Sequence, residues 1–300
     1  MLNKMTKNEE IAIVIDGNSL TYRAYYATIN QLDYFKKYNI KPNNAIKTML
    51  IMSLKILKQY NPKYTLIAFD AGKSTFRNEL YKEYKSNRSK TPLELIEQIT
   101  LLHDIMKLCG YNVCLQNGIE ADDIIGSFAN LTNANNIHCK IFSSDKDMLQ
   151  LVNKNTEIHK PEKGVSEMQI YNIDNFENLL DGLSPEQIVD YKGIVGDSSD
   201  NLPGIKGIGK KTGIKLIKKY KTLDNIFNNL NDLSNKQKQL FIESENISKL
   251  CKELATIKTD LFLNKNINDF LRKPIETENL FDFLNKYKIN NMEKYIFDVE

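Results

Sequence analysis

The sequence predicts an α/β fold, a mainly parallel sheet with flanking helices followed by a second, helical region. Three observations carry this. Residues 11–15 and 64–69 are continuous apolar runs rich in β-branched side chains, the pattern of strands buried on both faces. Runs with apolar residues at helical spacing separate them, and strands alternating with helices imply crossover connections in a parallel sheet. Beyond residue 160 the strand signal fades, and helix-start signals and lysine-rich helical runs take over.

Three hundred residues suit one large α/β domain with a smaller appendage. A content of 41% hydrophobic and 26% charged residues is ordinary for a globular chain with its own core. The net charge of +3 conceals a partition, because acids cluster in some segments and lysines in others. Residues 1–10 carry no apolar targeting segment, and the most apolar stretch, 49–57, is broken by Lys55, so a cytoplasmic protein without a membrane span is expected. Four cysteines without Cys-x-x-Cys spacing and three scattered histidines argue against zinc, a disulfide framework and a nucleophile-histidine-acid arrangement.

In chain order, the first strand ends in Asp16, and a helix is expected over 19–28, where Tyr22, Tyr25 and Tyr26 read as packing residues. A second helix, 42–60, carries Ile46, Leu50, Leu54 and Leu57, and the next strand run leads to Asp70. From 73 to 90 the pattern is not that of a core: Lys73, Arg77, Lys82, Lys85, Arg88 and Lys90 outnumber Glu79 and Glu83, with Phe76, Tyr81 and Tyr84 interleaved. Thr91-Pro92-Leu93-Glu94 reads as a capping box opening a helix over 92–109, which Gly110 stops. A strand at 111–115 precedes Glu120, Asp122 and Asp123, placed at the start of a helix defined by Ile124, Ile125, Phe128 and Leu131. A strand at 140–142 feeds Asp145 and Asp147, and 155–160 reads as the last strand or a hairpin arm. Ser184-Pro185-Glu186-Gln187 reads as a second capping box, which places a boundary near Asp181 between units 1–181 and 182–300.

In such sheets ligands bind beyond the carboxyl ends of the strands, where Asp16, Asp70, Asp145 and Asp147 lie. Taken singly, these acids are ordinary helix caps or turn formers, and so are Asp197 and Asp200. Taken together with Glu120, Asp122 and Asp123, they need counter-charge, because neighbouring carboxylates raise one another's pKa. With oxygen ligands alone on offer, Mg²⁺ or Mn²⁺ fits better than zinc. Two such ions about 4 Å apart suit in-line displacement at a phosphodiester. Directly after Asp200 comes a second basic element with Gly204, Lys206, Gly207, Gly209, Lys210, Lys211 and Lys215. It nearly matches a nucleotide phosphate loop, but Lys211 stands where Ser or Thr is required and no strand precedes it. A glycine turn opening a lysine-rich helix instead suits a nucleic-acid backbone, and residues 206–221 hold seven lysines and no acid.

The order Asp16, Asp70, Glu120-x-Asp122-Asp123, Asp145-x-Asp147, Gly196-Asp197-x-x-Asp200-Asn201 and Pro203-Gly204-Ile205-x-Gly207-Ile208-Gly209 resembles the 5′-nuclease domain of bacterial DNA polymerase I and the related flap endonucleases. The resemblance implies a PIN-like nuclease domain with a basic arch at about 73–92, followed by a helix-three-turn-helix DNA-binding region. It implies that Asp16, Asp70, Glu120, Asp122, Asp123, Asp145, Asp147, Asp197 and Asp200 hold two Mg²⁺ ions, with Mn²⁺ able to substitute. Arg77, Lys85 and Arg88 would grip the scissile phosphate, Tyr84 would stack on a base, and the 204–209 turn would hold duplex phosphates and a monovalent cation. The departure lies at 31–44, where the glycines and threonine expected of the family are replaced.

The implied function is a monomeric 5′-3′ exonuclease and 5′-flap endonuclease that acts on branched or nicked duplex DNA and removes RNA primers, with DNA polymerase as a partner. A stand-alone enzyme and part of a longer polymerase are both compatible with the sequence. Two other classes fit parts of the pattern. A PIN-type ribonuclease has little use for the Gly204 turn and its lysines, and a non-catalytic junction-binding protein has no use for the acids.

Overall fold

The central strand explains the sheet. In the computed structural model, which describes residues 10–72, 74–163 and 167–299, β1 (Ile11–Asp16) pairs in parallel on both sides. Its neighbours are β2 (Tyr64–Ala68), with β3 (Val113–Cys114) beyond it, and β4 (His138–Phe142), with β5 (Thr156–Lys163) and β6 (Glu167–Tyr171) beyond it. Ala12 and Val14 face one core and Ile13 and Ile15 the other, which is why the run is apolar at every position. Residues 1–9 and Lys73 of the basic segment lie outside the described residues.

Helices cover both faces. On the Ile13 side pack α1 (Gly17–Ala27), α3 (Asn44–Tyr60) and α5 (Leu93–Leu108), with the short α2 (Leu32–Lys37) and α4 (Phe76–Leu80) in the connections. On the Val14 side packs α6 (Ala121–Ala134), through Ile124, Ile125 and Phe128. The short α7 (Phe176–Leu179) adds Phe176 to the same core, and the helical unit follows, with α8 (Gln187–Val195), α9 (Lys210–Tyr220), α10 (Leu223–Asn228), α11 (Asn235–Glu243) and α12 (Glu245–Ala255). Leu183, Ile194, Ile208, Ile217 and Phe241 form its own core. The chain then returns to the sheet. Ile257, Phe262 and Phe270 join the α6 core, while α13 (Thr277–Lys286) and α14 (Glu293–Phe297) lay Leu280, Leu284 and Ile296 on the α3 and α5 core.

Three local expectations are corrected. The Thr91 capping box does not form: Pro92 is the cap residue without a side-chain bond, Thr91 Oγ1 instead meets the Tyr22 hydroxyl, and Glu94 accepts from Tyr25. At Ser184 the helix begins later, at Gln187, whose side-chain oxygen reaches back to the Ser184 N–H as half of the expected box. The strand signal does not end at residue 160, because β6 adds an antiparallel edge strand. Its alternation, Glu167-Met168-Gln169-Ile170, spans only four residues, too short a run to stand out in the sequence.

Away from the strands' carboxyl ends, β4 and β5 bury a polar group. Glu157 Oε1 bonds Lys140 and lies 2.6 Å from His159 Nε2, and His138 is 3.6 Å away on the other oxygen. Burial pushes the Glu157 carboxyl up, but bonds from His138 and His159 and the Lys140 charge outweigh it and hold it well below the usual carboxylate range. A depressed acid stabilises the fold above its unfolded pKa, and this contribution is lost as the pH falls toward the folded value. Glu157→Gln, which strands the Lys140 charge, is expected to cost about 3 kcal/mol at pH 7. In urea unfolding, the gap to wild type should close as the pH drops below about 4.

Candidate active site

The carboxyl ends of β1, β2 and β4 open into a cleft of about 550 Å³. Asp16, Asp70, Glu120, Asp122 and Asp145 line it, together with Lys85 and Arg88. Each acid is fixed by its own element. Asp16 caps α1, accepting the Ser19 N–H at 2.9 Å on one oxygen and the Ser143 hydroxyl at 2.6 Å on the other. Asp70 accepts the Ala121 N–H at 2.8 Å, and Asn18 holds the Asp70 N–H. Glu120 is the cap residue of α6, with Asp122 in its first turn. Asp145 accepts the Asp147 N–H at 2.9 Å, closing the turn that leads into the short helix Asp147–Leu151, as well as facing the cleft. A local structural role, as helix cap for Asp16 and in a turn for Asp145, therefore coincides with a place in the cleft.

The second acidic group adjoins this one. Asp147 meets Lys192 of α8, whose Nζ is also 2.6 Å from Asp197. Asp200 accepts Arg88 at 2.7 Å. The basic segment is laid across this junction, with the Lys85 N–H bonding the Asp200 carbonyl and the Asn201 side chain bonding the Glu83 carbonyl. Lys85 and Asn201 both adopt left-handed backbone, φ 55° and 56°, where they meet. Lys85 Nζ reaches Glu120 at 2.7 Å.

Three expected site residues are placed otherwise. Arg77 is 2% exposed and does not line the cleft, standing behind Glu120 with its guanidinium 3.7 Å from that carboxylate. Its guanidinium grips both oxygens of Asp123 at 2.8 Å and donates to the Leu254 and Thr256 carbonyls. Asp123 is therefore spent as a ligand, being fully buried and also accepting the Lys258 N–H. Tyr84 is 4% exposed, with its hydroxyl 3.2 Å from Glu120 and 3.3 Å from Asp200, so its ring is not offered to a base. The sequence pattern missed Tyr22 and Tyr26, which line the cleft while Tyr25 packs inward. Their spacing of four on α1, the helix that Asp16 caps, was the available signal.

Burial governs the electrostatics, and crowding adds to it. Burial, then the nearby Asp145 and Asp70, push Asp16 up to about 7 against bonds from Ser143 and Ser19. Burial likewise raises Asp147 to about 7, with Asp145 and Asp200 adding to it and Lys192 opposing. Asp122 is driven well up by burial and by Asp145, Asp16 and Asp147. Asp70 is raised chiefly by burial. On the cleft wall, Ser144 Oγ is buried without a hydrogen-bond partner. An all-oxygen donor set that is desolvated and only partly neutralised fits a hard divalent cation. As they stand, no three of the described His, Cys, Asp or Glu side chains gather closely enough to ligate one ion. Lys85, Arg88 and Lys192 already pair with four of the acids.

The glycine turn is tied to the acidic loop. Gly196 and Gly204 both have positive φ, and a Cβ on Gly204 would stand 2.3 Å from the Gly196 nitrogen. Asp197 and Leu202 exchange backbone bonds across the loop between them. Gly209 opens α9 without a side-chain cap, leaving first-turn N–H groups available beside the exposed Lys206, Lys210, Lys211 and Lys215. Lys210 pairs with Asp181 at 2.9 Å. No helix among the described residues is long and apolar enough to cross a membrane.

Two family models match the chain. The profile of the 5′-3′ exonuclease N-terminal resolvase-like domain matches residues 11–180, and that of the 5′-3′ exonuclease C-terminal SAM fold matches residues 183–278. A 5′-3′ exonuclease of Mycoplasma genitalium is 48% identical over 95% of this chain and 98% of its own length. A DNA polymerase I of Lactococcus lactis is 37% identical over 92% of this chain, which spans 32% of that longer protein. The T5 5′-exonuclease, solved with zinc as divalent metal ions, superimposes with a TM-score of 0.70 at 20% identity, covering 93% of this chain and all of its own.

Proposed function

Because the chain belongs to the 5′-3′ exonuclease family, we propose that it is a divalent-metal-dependent, structure-selective 5′-nuclease acting on branched or nicked duplex DNA. The observation that carries the reading is the convergence of five carboxylates in one cleft with Lys85 and Arg88 over it. Asp16, Asp70, Glu120, Asp122 and Asp145, with Asp147, Asp197 and Asp200 beside them, would hold two Mg²⁺ or Mn²⁺ ions. When bound, these ions neutralise phosphodiester charge and lower the pKa of the attacking water.

The chain's own residues do the rest. Lys85 and Arg88 hold the scissile phosphate's oxygens as charge builds on them. Tyr26, half-exposed on the cleft wall, offers its ring to a base of the 5′ strand. The uncapped start of α9 and its lysines hold duplex phosphates, and the carbonyls of the 204–209 turn give a monovalent cation its place. RNA primers and 5′ flaps left by replication and repair are the proposed substrates, with DNA polymerase as the enzyme acting on the same strand.

The test is cleavage of a 5′-labelled flap duplex, with single-stranded DNA and RNA controls, in Mg²⁺ and then in chelator. A short product mapped to the flap junction and lost on chelation is expected. A flap that is bound but survives would overturn the catalytic reading, and preferential cutting of single-stranded RNA would move the protein to the ribonuclease class. Lys85→Ala should lower turnover much more than flap affinity, and an equal loss of both would make Lys85 a binding residue.

A further inference from the structure

Four side-chain cations pair with the acids, and with Arg77 held by Asp123, Lys192 is unlike the remaining two. Lys85 and Arg88 stand on the basic segment with side chains 21% and 49% exposed, within reach of an incoming phosphate. Lys192 belongs to α8 and is 8% exposed, its ammonium enclosed between Asp147 and Asp197. Among the described residues, Asp16, Asp70, Asp122 and Asp145 have no ion pair with any lysine or arginine. An external cation can therefore reach these four without breaking an ion pair of theirs, whereas Asp147 and Asp197 share a buried internal one.

We propose that Lys192 is the internal counter-ion of the Asp147–Asp197 side and competes there with a divalent cation, setting how weakly the second of two ions binds. The inference rests on the metal-dependent reading above. An ion can take the oxygens that face Lys192, Asp147 Oδ1 and Asp197 Oδ2, only by displacing the ammonium, and the buried positive charge repels an ion held by the other oxygens as well. In exchange, the pair joins the helical unit to the turn after β4 when no metal is bound. Lys192 thus acts through the carboxylates it holds and is a positioning residue.

The experiment is calorimetric titration of the metal-free full chain with Mn²⁺, with bound ions counted independently by the Mn²⁺ spin-resonance signal. Wild type is expected to take up two ions in separable steps. In Lys192→Met the second step should tighten about tenfold, equivalent to ~1.4 kcal/mol, while the first is unchanged. Lys192→Arg should restore the wild-type separation. The metal-free melting temperature should fall in Lys192→Met, and the rise produced by Mn²⁺ should grow. If the methionine variant does not fold, Lys192→Gln carries the same expectation. A second step that is unchanged or weaker in the uncharged variants overturns the inference, the weaker case meaning that Lys192 orients the aspartates for the ion. A wild-type chain that takes up no Mn²⁺ overturns the metal-dependent reading and the inference with it, whereas two ions with an indifferent Lys192 overturn the inference alone.

Discussion

Asp145→Asn is expected to lower flap cleavage by about 10³-fold, the several kcal/mol of charge stabilisation that bound metal supplies, while leaving DNA binding largely intact. Asp145 is the acid common to both halves of the group: its charge bears on Asp16, on Asp122 and on Asp147. The asparagine oxygen can still accept the Asp147 N–H, so the turn that Asp145 closes should survive. The sign of the stability change then separates the two roles. Removing one of several crowded charges relieves repulsion, so the metal-free variant should melt higher than wild type at pH 8, and the stabilisation by Mg²⁺ should shrink. A residue that only closes a turn would leave cleavage unchanged, and that result from a folded variant would remove Asp145 from the catalytic group.

The sequence made the scaffold of this site legible because the strands announce it. A central strand buried on both faces has to be apolar throughout, and the first polar residue after it, Asp16, has to emerge at the sheet's carboxyl edge. The same logic places Asp70, and the helical period starting at Ile124 places Glu120 and Asp122. Direction was harder to read than position. Asp122 and Asp123 are neighbours at the start of one helix, about 100° apart around its axis, so one faces the cleft and the other faces Arg77. A run of basic and aromatic residues likewise does not say which of them are anchors. Within 76–88, Arg77 and Tyr84 are buried while Lys85 and Arg88 reach the cleft. The partners that decide this, the Leu254 and Thr256 carbonyls and the Asp200 loop, lie more than a hundred residues away. The closing role of residues beyond 255 was hidden for the same reason, since α13 and α14 show helical periodicity without naming the face they pack on.

Arg77→Met is expected to cost about 3–5 kcal/mol of stability, because it leaves Asp123 charged, fully buried and unpaired. The guanidinium makes four bonds at 2.8–2.9 Å, tying α4 to α6 and to the segment that returns from the helical unit. Lysine should not substitute, since one ammonium does not reproduce a planar fork that meets a carboxylate and two carbonyls together. The double variant Arg77→Met with Asp123→Leu should recover much of the loss, as removing both charges avoids the stranded carboxylate. Chemical denaturation of the four proteins gives the coupling, and single-turnover cleavage per folded molecule gives the rate. An arginine that gripped the scissile phosphate would show the opposite division, with turnover lost, stability kept and no rescue by the second substitution. Lys85→Ala should give that opposite division. The two side chains are eight residues apart in one basic segment, so the contrast between them tests whether the fold assigns one to hold the protein together and the other to meet the substrate.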